Sequence, residues 1–539
     1  TVDGNVTIYA FNNKSAGPLT KLSLGATGDV VIASGVNITA QSGLSVALQS
    51  DSNQNGSGSV KLAGKIDTGE TAQTGNAASI LINGNVKLGG NSDLISKGSV
   101  VVTGNISRDA GATNGVNLSV TASTLNTGST ALNSGSINLG ETGQLGLTLD
   151  SESKINGAIV AASLTKAGVG RLGLFGNNAG LGAITFQSGT LQVASTSNLG
   201  NGPLTLGGAN SVTTLQLTTP TDVEISKPIT LAGTSRIEAT GAGRLTLSGT
   251  IDGSHNLTVD GQSDITLNDA IGATTSLATF NSNSARTLTL GPLAKITSVG
   301  DIKISGATRF VNAAVDAAPL QTGTRWLIGS GNTNPFAGAT PDVTGGLQHD
   351  FRFYGLSQGQ VLGTASLPSS LPATGNGLIY SLQPTLSLSV PAAITKTYDG
   401  STALPAGAIT FDGSGLLNGD LFTVSNVTGS FASANAGTQS ILFPGQVITT
   451  TDSSGKPVFG YGLSTSQITG SITPAPLAIT ANALSSIFGE TIPALTFTSS
   501  GFVGTDSASL LTGSLSRASG IDVGNYAIGL GTLSAGNNY

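Results

Sequence analysis

The chain has 539 residues, a formal net charge of −6 and only 9% charged residues, against roughly a quarter in ordinary soluble domains. It holds no cluster of lysine or arginine, which excludes the electrostatic footprint of a nucleic-acid-binding protein, and no apolar run of about 18 residues that would predict a membrane-spanning helix. Its 77 glycines accompany 38% hydrophobic residues in short alternating runs, which a disordered chain lacks. The composition therefore predicts a folded all-β protein with many turns.

Residues 1–308 repeat one unit, a Gly/Asn/Ser turn followed by a short strand in which apolar and polar residues alternate. Gly84-Asn85-Val86-Lys87-Leu88 and Gly104-Asn105-Ile106 show the unit twice, 20 residues apart. Alternation places Val86 and Leu88 inward and Lys87 outward, and Asn and Gly accept the left-handed backbone expected at sharp corners. The pattern predicts a right-handed parallel β-helix of about 15 coils, since each coil takes about 20 residues and stacked strands lie about 4.8 Å apart.

Aromatic residues become frequent after residue 310, which indicates a change of architecture. A slim β-helix core is filled by aliphatic side chains, whereas compact sandwiches use large rings. Residues 309–390 are therefore predicted to cap the helix and connect it to small Ig-like β-sandwich domains. Trp326, the only tryptophan, is expected to cap the helix end, with stacking on a sugar as the alternative.

Two stretches of the β-helix resemble secreted bacterial passengers. Residues 164–217 resemble the autotransporter-associated β-strand repeat, through Leu164-Thr165-Lys166, Gly168, Gly170, Leu172, Leu174 and Gly189-Thr190-Leu191-Gln192-Val193. Residues 263–280 are similar to coils of filamentous-haemagglutinin-type adhesins. The resemblance implies an adhesin-like surface protein and carries no known catalytic residues.

Two further resemblances lie in the C-terminal third. Residues 391–476 resemble the YDG-type repeat domain, through Lys396-Thr397-Tyr398-Asp399-Gly400 and Gly419-Asp420, with Gly460-Tyr461 where that family has Asn-Tyr. Residues 477–539 resemble the MBG type of Ig-like domain, through Phe488-Gly489-Glu490, Gly501-Phe502-Val503-Gly504-Thr505-Asp506 and Val523-Gly524-Asn525-Tyr526. That second likeness stops short of a closing strand, so we expect the natural polypeptide to continue past Tyr539 or a neighbouring molecule to supply the strand.

A parallel β-helix can also be a polysaccharide-cleaving enzyme, which requires convergent carboxylates on adjacent coils. The best candidates are four acids within 18 residues: Asp252, Asp260, Asp264 and Asp269. We interpret them as ordinary turn residues, because Asp260 and Asp264 flank a Gly-Gln-Ser corner. A surface cation site is the alternative and catalysis is less favoured. His255 and His349 lie in different regions, and without cysteine they predict no zinc site. The sequence therefore predicts no catalytic residue, cofactor or resident metal.

The leading hypothesis is a non-enzymatic adhesin that is secreted to the bacterial cell surface, with help from an outer-membrane secretion partner. Its outward Thr, Ser and Asn side chains would make many weak polar contacts with glycans, matrix proteins or other cells. The alternative is self-association into extracellular filaments or a matrix, because strand edges low in charge permit pairing between chains.

Overall fold

The structure is a computed structural model. It describes residues 6–8, 12–13, 17–18, 21–25, 29–33, 36–40, 45–50, 58–68, 79–96, 98–112, 116–122, 124–127, 135–209, 211–362, 369–389, 393–405, 412–425, 428–443, 447–465 and 468–539.

The chain divides into two compact units, Thr1–Leu382 and Gln383–Tyr539. Strands account for 49% and helices for 2%, and the first unit is a β-solenoid of about 13 turns. Within the described residues, no helix has the length and apolar character needed to cross a membrane. The predicted fold class, an all-β chain with a parallel β-helix followed by small β-domains, is confirmed.

Twenty strands lie in the described residues of the first half of the solenoid. They are β1 (Val6–Ile8), β2 (Asn12–Asn13), β3 (Gly17–Pro18), β4 (Lys21–Gly25), β5 (Val30–Ile32), β6 (Asn37–Ala40), β7 (Ser45–Gln49), β8 (Ser59–Leu62), β9 (Lys65–Asp67), β10 (Ile80–Asn83), β11 (Asn85–Leu88), β12 (Ser92–Ile95), β13 (Ser99–Val102), β14 (Ile106–Arg108), β15 (Leu118–Ala122), β16 (Thr124–Thr127), β17 (Ile137–Leu149), β18 (Ser153–Ile155), β19 (Ile159–Ala167) and β20 (Arg171–Leu174).

In the second half, the part of the chain that the structure describes forms twenty-one strands, a 3₁₀ turn (Thr196–Leu199) and the short helix α1 (Gln358–Leu362). The strands are β21 (Leu181–Phe186), β22 (Gly189–Val193), β23 (Leu204–Leu206), β24 (Thr213–Leu217), β25 (Val223–Ile225), β26 (Ile229–Leu231), β27 (Ser235–Ala239), β28 (Leu245–Leu247), β29 (Ile251–Asp252), β30 (Asn256–Gly261), β31 (Ile265–Leu267), β32 (Ala270–Ile271), β33 (Thr279–Ser284), β34 (Thr287–Leu290), β35 (Lys295–Ser298), β36 (Ile302–Gly306), β37 (Arg309–Asn312), β38 (Leu320–Thr322), β39 (Trp326–Ser330), β40 (Phe351–Tyr354) and β41 (Gly377–Tyr380).

Three parallel sheets form the walls of the solenoid. The first sheet includes β17, β19, β21, β23, β26 and β29; the second includes β20, β22, β24, β27, β30, β33 and β36; the third is β25, β28, β31, β34 and β37. The two sequence repeats that begin at Gly84 and Gly104 stack in register, with Val86 opposite Ile106. Each coil thus repeats the alternation of the one before it.

The alternation buries aliphatic side chains in continuous stacks. In the second sheet Leu172, Leu191, Leu215, Ile237 and Val259 lie directly above one another, each fully buried. A few inward positions are larger, and Phe186, Phe280 and Phe310 are buried in the same core. The core therefore grows by one layer with every coil, as in other solenoids.

Asn and Asp side chains close many coil corners by hydrogen bonds to the next coil. Asn85 Oδ1 accepts the backbone N–H of Asn105 at 2.9 Å, and Asn105 Oδ1 accepts that of Ser136 at 2.9 Å. The prediction that Asn supplies left-handed corners is wrong: in the described residues, Asn418 is the only non-glycine with positive φ. Corner Asn is used for its side-chain acceptor, while glycines such as Gly200 (φ 66°) supply the left-handed backbone.

Parallel pairing continues beyond the predicted boundary at residue 308. β36 pairs with β39, which pairs with β41, so that Ile328 lies opposite Leu378. The helix α1 packs on β36 and β39. The segment predicted to cap the helix thus contains further parallel strands of the first unit.

The residues of the second unit for which the structure gives a placement form fourteen strands and a 3₁₀ turn (Ala508–Leu510). The strands are β42 (Thr385–Ser389), β43 (Ile394–Thr397), β44 (Asp412–Ser414), β45 (Leu421–Ser425), β46 (Ser430–Phe431), β47 (Gly437–Leu442), β48 (Val447–Thr451), β49 (Pro457–Phe459), β50 (Gly462–Thr465), β51 (Thr469–Thr473), β52 (Ala478–Ala481), β53 (Phe497–Ser500), β54 (Ser516–Arg517) and β55 (Ile528–Gly529).

These strands form small sheets. The residues up to Ala475 build one sheet in the order β44-β42-β50 and another in the order β43-β51-β47-β46. The latter covers a core of Tyr398, Phe431, Ile441, Ile472 and Ala475. Residues beyond Ala475 form two hairpins, β52-β53 and β54-β55.

Candidate binding surface and buried polar sites

The first sheet presents a row of threonines on its outer face. Thr165, Thr185, Thr205 and Thr230 lie opposite one another on successive strands. Their side chains alternate with buried residues such as Ile184 and Leu204, and all four are at least partly exposed. A row of hydroxyl groups with the spacing of β-strands, about 4.8 Å, therefore runs along this face.

The third sheet has a similar row, formed by Thr246, Thr266 and Thr289. Glu224 precedes Thr246 in the same register and is the one charged member of the row. Both threonine rows are thus formed by small hydroxyl side chains that keep the same orientation over several coils.

The second sheet carries a different outer row, which we call the amide–acid row. Its members in register are Gln192, Gln216, Glu238, Asp260 and Asn283. Gln192 Nε2 donates to Gln216 Oε1 at 3.3 Å, and Gln216 Nε2 donates to Glu238 Oε2 at 3.5 Å. The row links neighbouring coils by side-chain hydrogen bonds.

Arg236 bridges the two acids of the amide–acid row. Its Nη2 lies 3.1 Å from Asp260 Oδ2 and 3.5 Å from Glu238 Oε1. Burial raises the pKa of the Asp260 carboxyl, while Arg236 lowers it and Glu238 adds to the increase. A half-buried carboxyl that already faces a guanidinium is poorly suited to hold a cation.

The other three aspartates of the candidate cation site make separate contacts. Asp252 Oδ1 accepts the N–H of Thr274 at 2.8 Å, and Asp264 Oδ1 accepts that of Thr287 at 3.0 Å, so both close corners. Asp269 Oδ1 accepts the N–H of Ala270. The structure brings no three His, Asp or Glu side chains together within metal-binding reach in the part of the chain that it describes.

Trp326 lies at the start of β39 and is 3% exposed. Its backbone N–H donates to Asn376 Oδ1 at 2.9 Å, and it stands opposite Ile302 in the parallel register. A ring so deeply buried offers no face for stacking on a sugar, whereas it fits the packing of the last coils.

A buried lysine is a feature that the sequence reasoning missed. Lys166 is 0% exposed, and its Nζ donates to the carbonyls of Gly168, Gly170 and Ser188 and, at 3.4 Å, to that of Leu149. Burial lowers its pKa to about 8. The alternation that turns Leu164 inward also turns Lys166 inward, which is the signal that could have revealed it.

The glycines near Lys166 are explained by close backbone approach. A Cβ on Gly168 would lie 2.3 Å from the Leu149 oxygen, and one on Gly170 would lie 2.3 Å from the Ser151 oxygen. Lys227 repeats the arrangement, because its Nζ donates to the carbonyls of Leu199, Gly200 and Gly202 at 2.8–2.9 Å. The ammonium groups hold adjacent corners together, which is a structural use of charge.

The second unit contains the same tyrosine contact twice. Tyr461 Oη accepts the Leu417 N–H and donates to Asp420 Oδ2, both at 2.9 Å. Tyr539 Oη accepts the Val503 N–H at 2.9 Å and donates to Asp506 Oδ2 at 2.6 Å. The Gly-Asp and Gly-Thr-Asp motifs of the sequence therefore anchor loops to a tyrosine hydroxyl.

Comparison with known families identifies two domains in this unit. Residues 383–455 match the YDG domain, and residues 477–539 match the MBG domain (YGX type). The chain shows no match to a curated protein or to a solved structure. The predictions of a YDG-type and an MBG-type domain are confirmed.

Proposed function

We propose that this chain is a non-enzymatic, secreted bacterial surface adhesin, in which the solenoid gives reach and its outer rows make multivalent contacts with glycans, matrix proteins or other cells. The observation that carries the proposal is the set of in-register outer rows, two of threonine and one of amides and acids. Rows that repeat over successive coils present one contact many times. Weak contacts repeated on one rigid body add up to avidity without any deep pocket.

The four candidate aspartates do not face one common site, which supports a binding role. Asp252, Asp264 and Asp269 bind backbone N–H groups, and Asp260 faces Arg236. A glycosidase would need two carboxyl groups facing one cleft, about 5–10 Å apart. The presence of YDG and MBG domains in the same chain as a β-solenoid is also consistent with a surface protein.

The test is binding of the purified full chain, clustered on beads, to polysaccharide-coated surfaces and to cells. We expect saturable binding that weakens when the amide–acid row is replaced, as in the triple variant Gln192→Ala, Gln216→Ala and Asn283→Ala. A second variant replaces the third-sheet threonines Thr246, Thr266 and Thr289 by valine, which keeps their shape and tests the contribution of that row. Equal loss in both variants would show that both rows contribute, whereas no binding of the parent chain to any surface would refute adhesion.

Enzymatic activity needs its own measurement. The parent chain should release no new reducing ends from polysaccharides, and the double variant Asp260→Ala, Asp264→Ala should behave identically. Turnover that disappears in the double variant would refute the non-enzymatic role.

Self-association into filaments is the second candidate function, and it has its own supporting observation. Large apolar side chains are exposed in residues 477–539, among them Ile521 and Val523, which are 87% and 88% exposed. Electron microscopy of the full chain distinguishes the filament function from adhesion, because only the filament function produces fibres with a regular repeat.

A further inference from the structure

The buried core of the YDG domain is in contact with two side chains of the MBG domain. Val503 and Tyr539 pack against the cluster that contains Tyr398. The ring of Tyr539 meets that of Tyr398 edge to face, with the centroids 5.5 Å apart, and it meets the ring of Phe502 at the same distance. Residues of both domains thus share one apolar cluster, which relative motion of the domains would have to take apart.

Hydrogen bonds cross the same boundary. The Tyr398 hydroxyl donates to Asp506 Oδ2 at 3.0 Å. The Asn538 carbonyl accepts the Ala475 N–H at 2.8 Å, and Asn538 Oδ1 accepts the Ala436 N–H at 2.9 Å. Because hydrogen bonds are directional, these contacts fix the orientation of the MBG residues as well as their distance.

The residues Tyr398, Asp399 and Gly400 form a turn on the YDG side, which we call the Tyr-Asp-Gly turn. Asp399 Oδ1 accepts the Ser401 N–H at 2.9 Å and a bond from Lys396 Nζ at 2.8 Å, which closes the turn. The Lys396 ammonium lowers the pKa of the Asp399 carboxyl to about 2, so this group stays charged at neutral pH. The turn is therefore held in shape by residues of its own domain.

The Tyr-Asp-Gly turn lies against the loop of residues 501–506 in the MBG domain. Gly400 has a φ of 75°, in the left-handed region that favours glycine. A Cβ at Gly400 would lie 3.7 Å from Val503 Cγ1, which is van der Waals contact. The tyrosine of the turn thus bonds the loop, the aspartate closes the turn, and the glycine lets the backbone approach Val503.

The loop of residues 501–506 is also held by its own domain. Tyr539 Oη accepts the Val503 N–H and donates to Asp506, and the YDG domain repeats this contact around Tyr461. The bond from Tyr398 to Asp506 comes in addition, from the neighbouring domain. Two parts that each hold their own shape lose little conformational freedom when they dock.

We infer that the Tyr-Asp-Gly turn is the docking site for the loop of residues 501–506, and that this joint makes the YDG and MBG domains one rigid body. The apolar contacts of Val503 and Tyr539 hold the domains together, and the bond from Tyr398 to Asp506 sets their orientation. The connecting segment 472–477 contains two prolines, whose fixed φ restricts its bending. A rigid pair of domains keeps its two ends at a fixed distance, which a flexible linker does not.

The test measures the distance between the two domains with a pair of spin labels on the full chain. The chain contains no cysteine, so Ser453→Cys and Thr491→Cys, both at exposed positions, carry the labels. We expect one narrow distance distribution in the labelled chain. Val503→Asp places a charge against the turn and should broaden the distribution about twofold or more, because domains joined only by a linker move relative to each other.

The matched control is Val523→Asp, which makes the same substitution in the same domain at a side chain that is 88% exposed. This control should leave the distribution narrow. Hydrogen exchange of the β52 and β53 amides should be the same in Val503→Asp as in the parent chain, which shows that the MBG domain remains folded.

A second variant keeps the inference testable if Val503→Asp unfolds the domain. Tyr398→Phe keeps the ring in the core and removes only the bond to Asp506. It should speed exchange of the Val503 and Asp506 amides and broaden the distance distribution less than Val503→Asp does. A narrow distribution in both variants, or a broad one in the labelled parent chain, would overturn the inference. A distance that disappears on dilution with unlabelled chain would also overturn it, since the contact would then join two molecules.

Discussion

The solenoid and the C-terminal MBG domain differ in how completely their apolar side chains are buried. In the solenoid each coil covers the inward residues of its neighbour, so Leu191 and Leu215 are both fully buried. In the MBG domain two hairpins leave Ile487 and Phe488 about 70% exposed. The comparison teaches that a repeating core is completed layer by layer by neighbouring coils, whereas a compact domain is covered only by strands from distant parts of its sequence.

The YDG domain is compact but has a buried core. Truncation of a side chain in this core should give the largest loss in the free energy of unfolding. Phe431→Ala removes a ring that is 1% exposed in the cluster with Ile441 and Ile472, and we expect a loss of about 3–5 kcal/mol in the free energy of unfolding. Hydrogen exchange of the amides in β46, β47 and β51 measures this loss. Phe488→Ala is the matched control, and its effect should stay below about 0.5 kcal/mol. A large effect of the control would show that the exposure of a ring does not determine the cost of removing it.

A buried corner of the solenoid should be the next most sensitive. Asn178 is fully buried, accepts the Ile159 N–H at 2.8 Å and donates to the Asn198 carbonyl at 2.6 Å. Asn178→Ala leaves two backbone groups unpaired, for an expected loss of about 2–4 kcal/mol. Asn105→Ala, at an exposed corner, should cost about 1 kcal/mol or less. Local hydrogen exchange measures both losses. Equal losses at the two corners would mean that burial of the corner does not determine the cost of removing its side chain.

Lys166 should give the solenoid a pH dependence that the C-terminal unit does not share. Its pKa is about 8 in the folded chain, against 10.5 for an unperturbed lysine. Between these pH values the unfolded chain binds more protons than the folded one, so stability rises with pH across this window, by up to about 3 kcal/mol.

Hydrogen exchange of β19 and β21 at pH 8 and pH 10.5, corrected for intrinsic exchange, measures this rise. The Lys166→Met variant should lose it, because no titrating group remains at the site. A rise of the same size in the variant would assign the effect to other groups.

The smallest expected effect concerns the two equivalent tyrosines. Tyr461→Phe and Tyr539→Phe each remove one hydroxyl that joins a backbone N–H to an aspartate, for about 1 kcal/mol each. Asp506 Oδ2 also accepts the Tyr398 hydroxyl at 3.0 Å, so the loss at Tyr539 should be no larger than the loss at Tyr461. Chemical unfolding that shows a much larger loss at Tyr461 would mean that closure of the YDG sheet depends on this hydroxyl.

The sequence by itself determined the solenoid, because strict alternation over many coils leaves only one face of each strand for the core. Val86 and Ile106, 20 residues apart, were predicted to stack and do so. The YDG and MBG domains were also recognisable, since their glycine and tyrosine motifs are local.

Tertiary structure alone decided the interactions that join residues from different coils or strands. The acceptor role of corner Asn, the carbonyl contacts of Lys166 and the pairing of Asp260 with Arg236 depend on which residues stack, and coil length varies too much to give that register from spacing. The insertion of β51 between β43 and β47 is likewise visible only in the structure, because strand pairing is a long-range contact that no local pattern records.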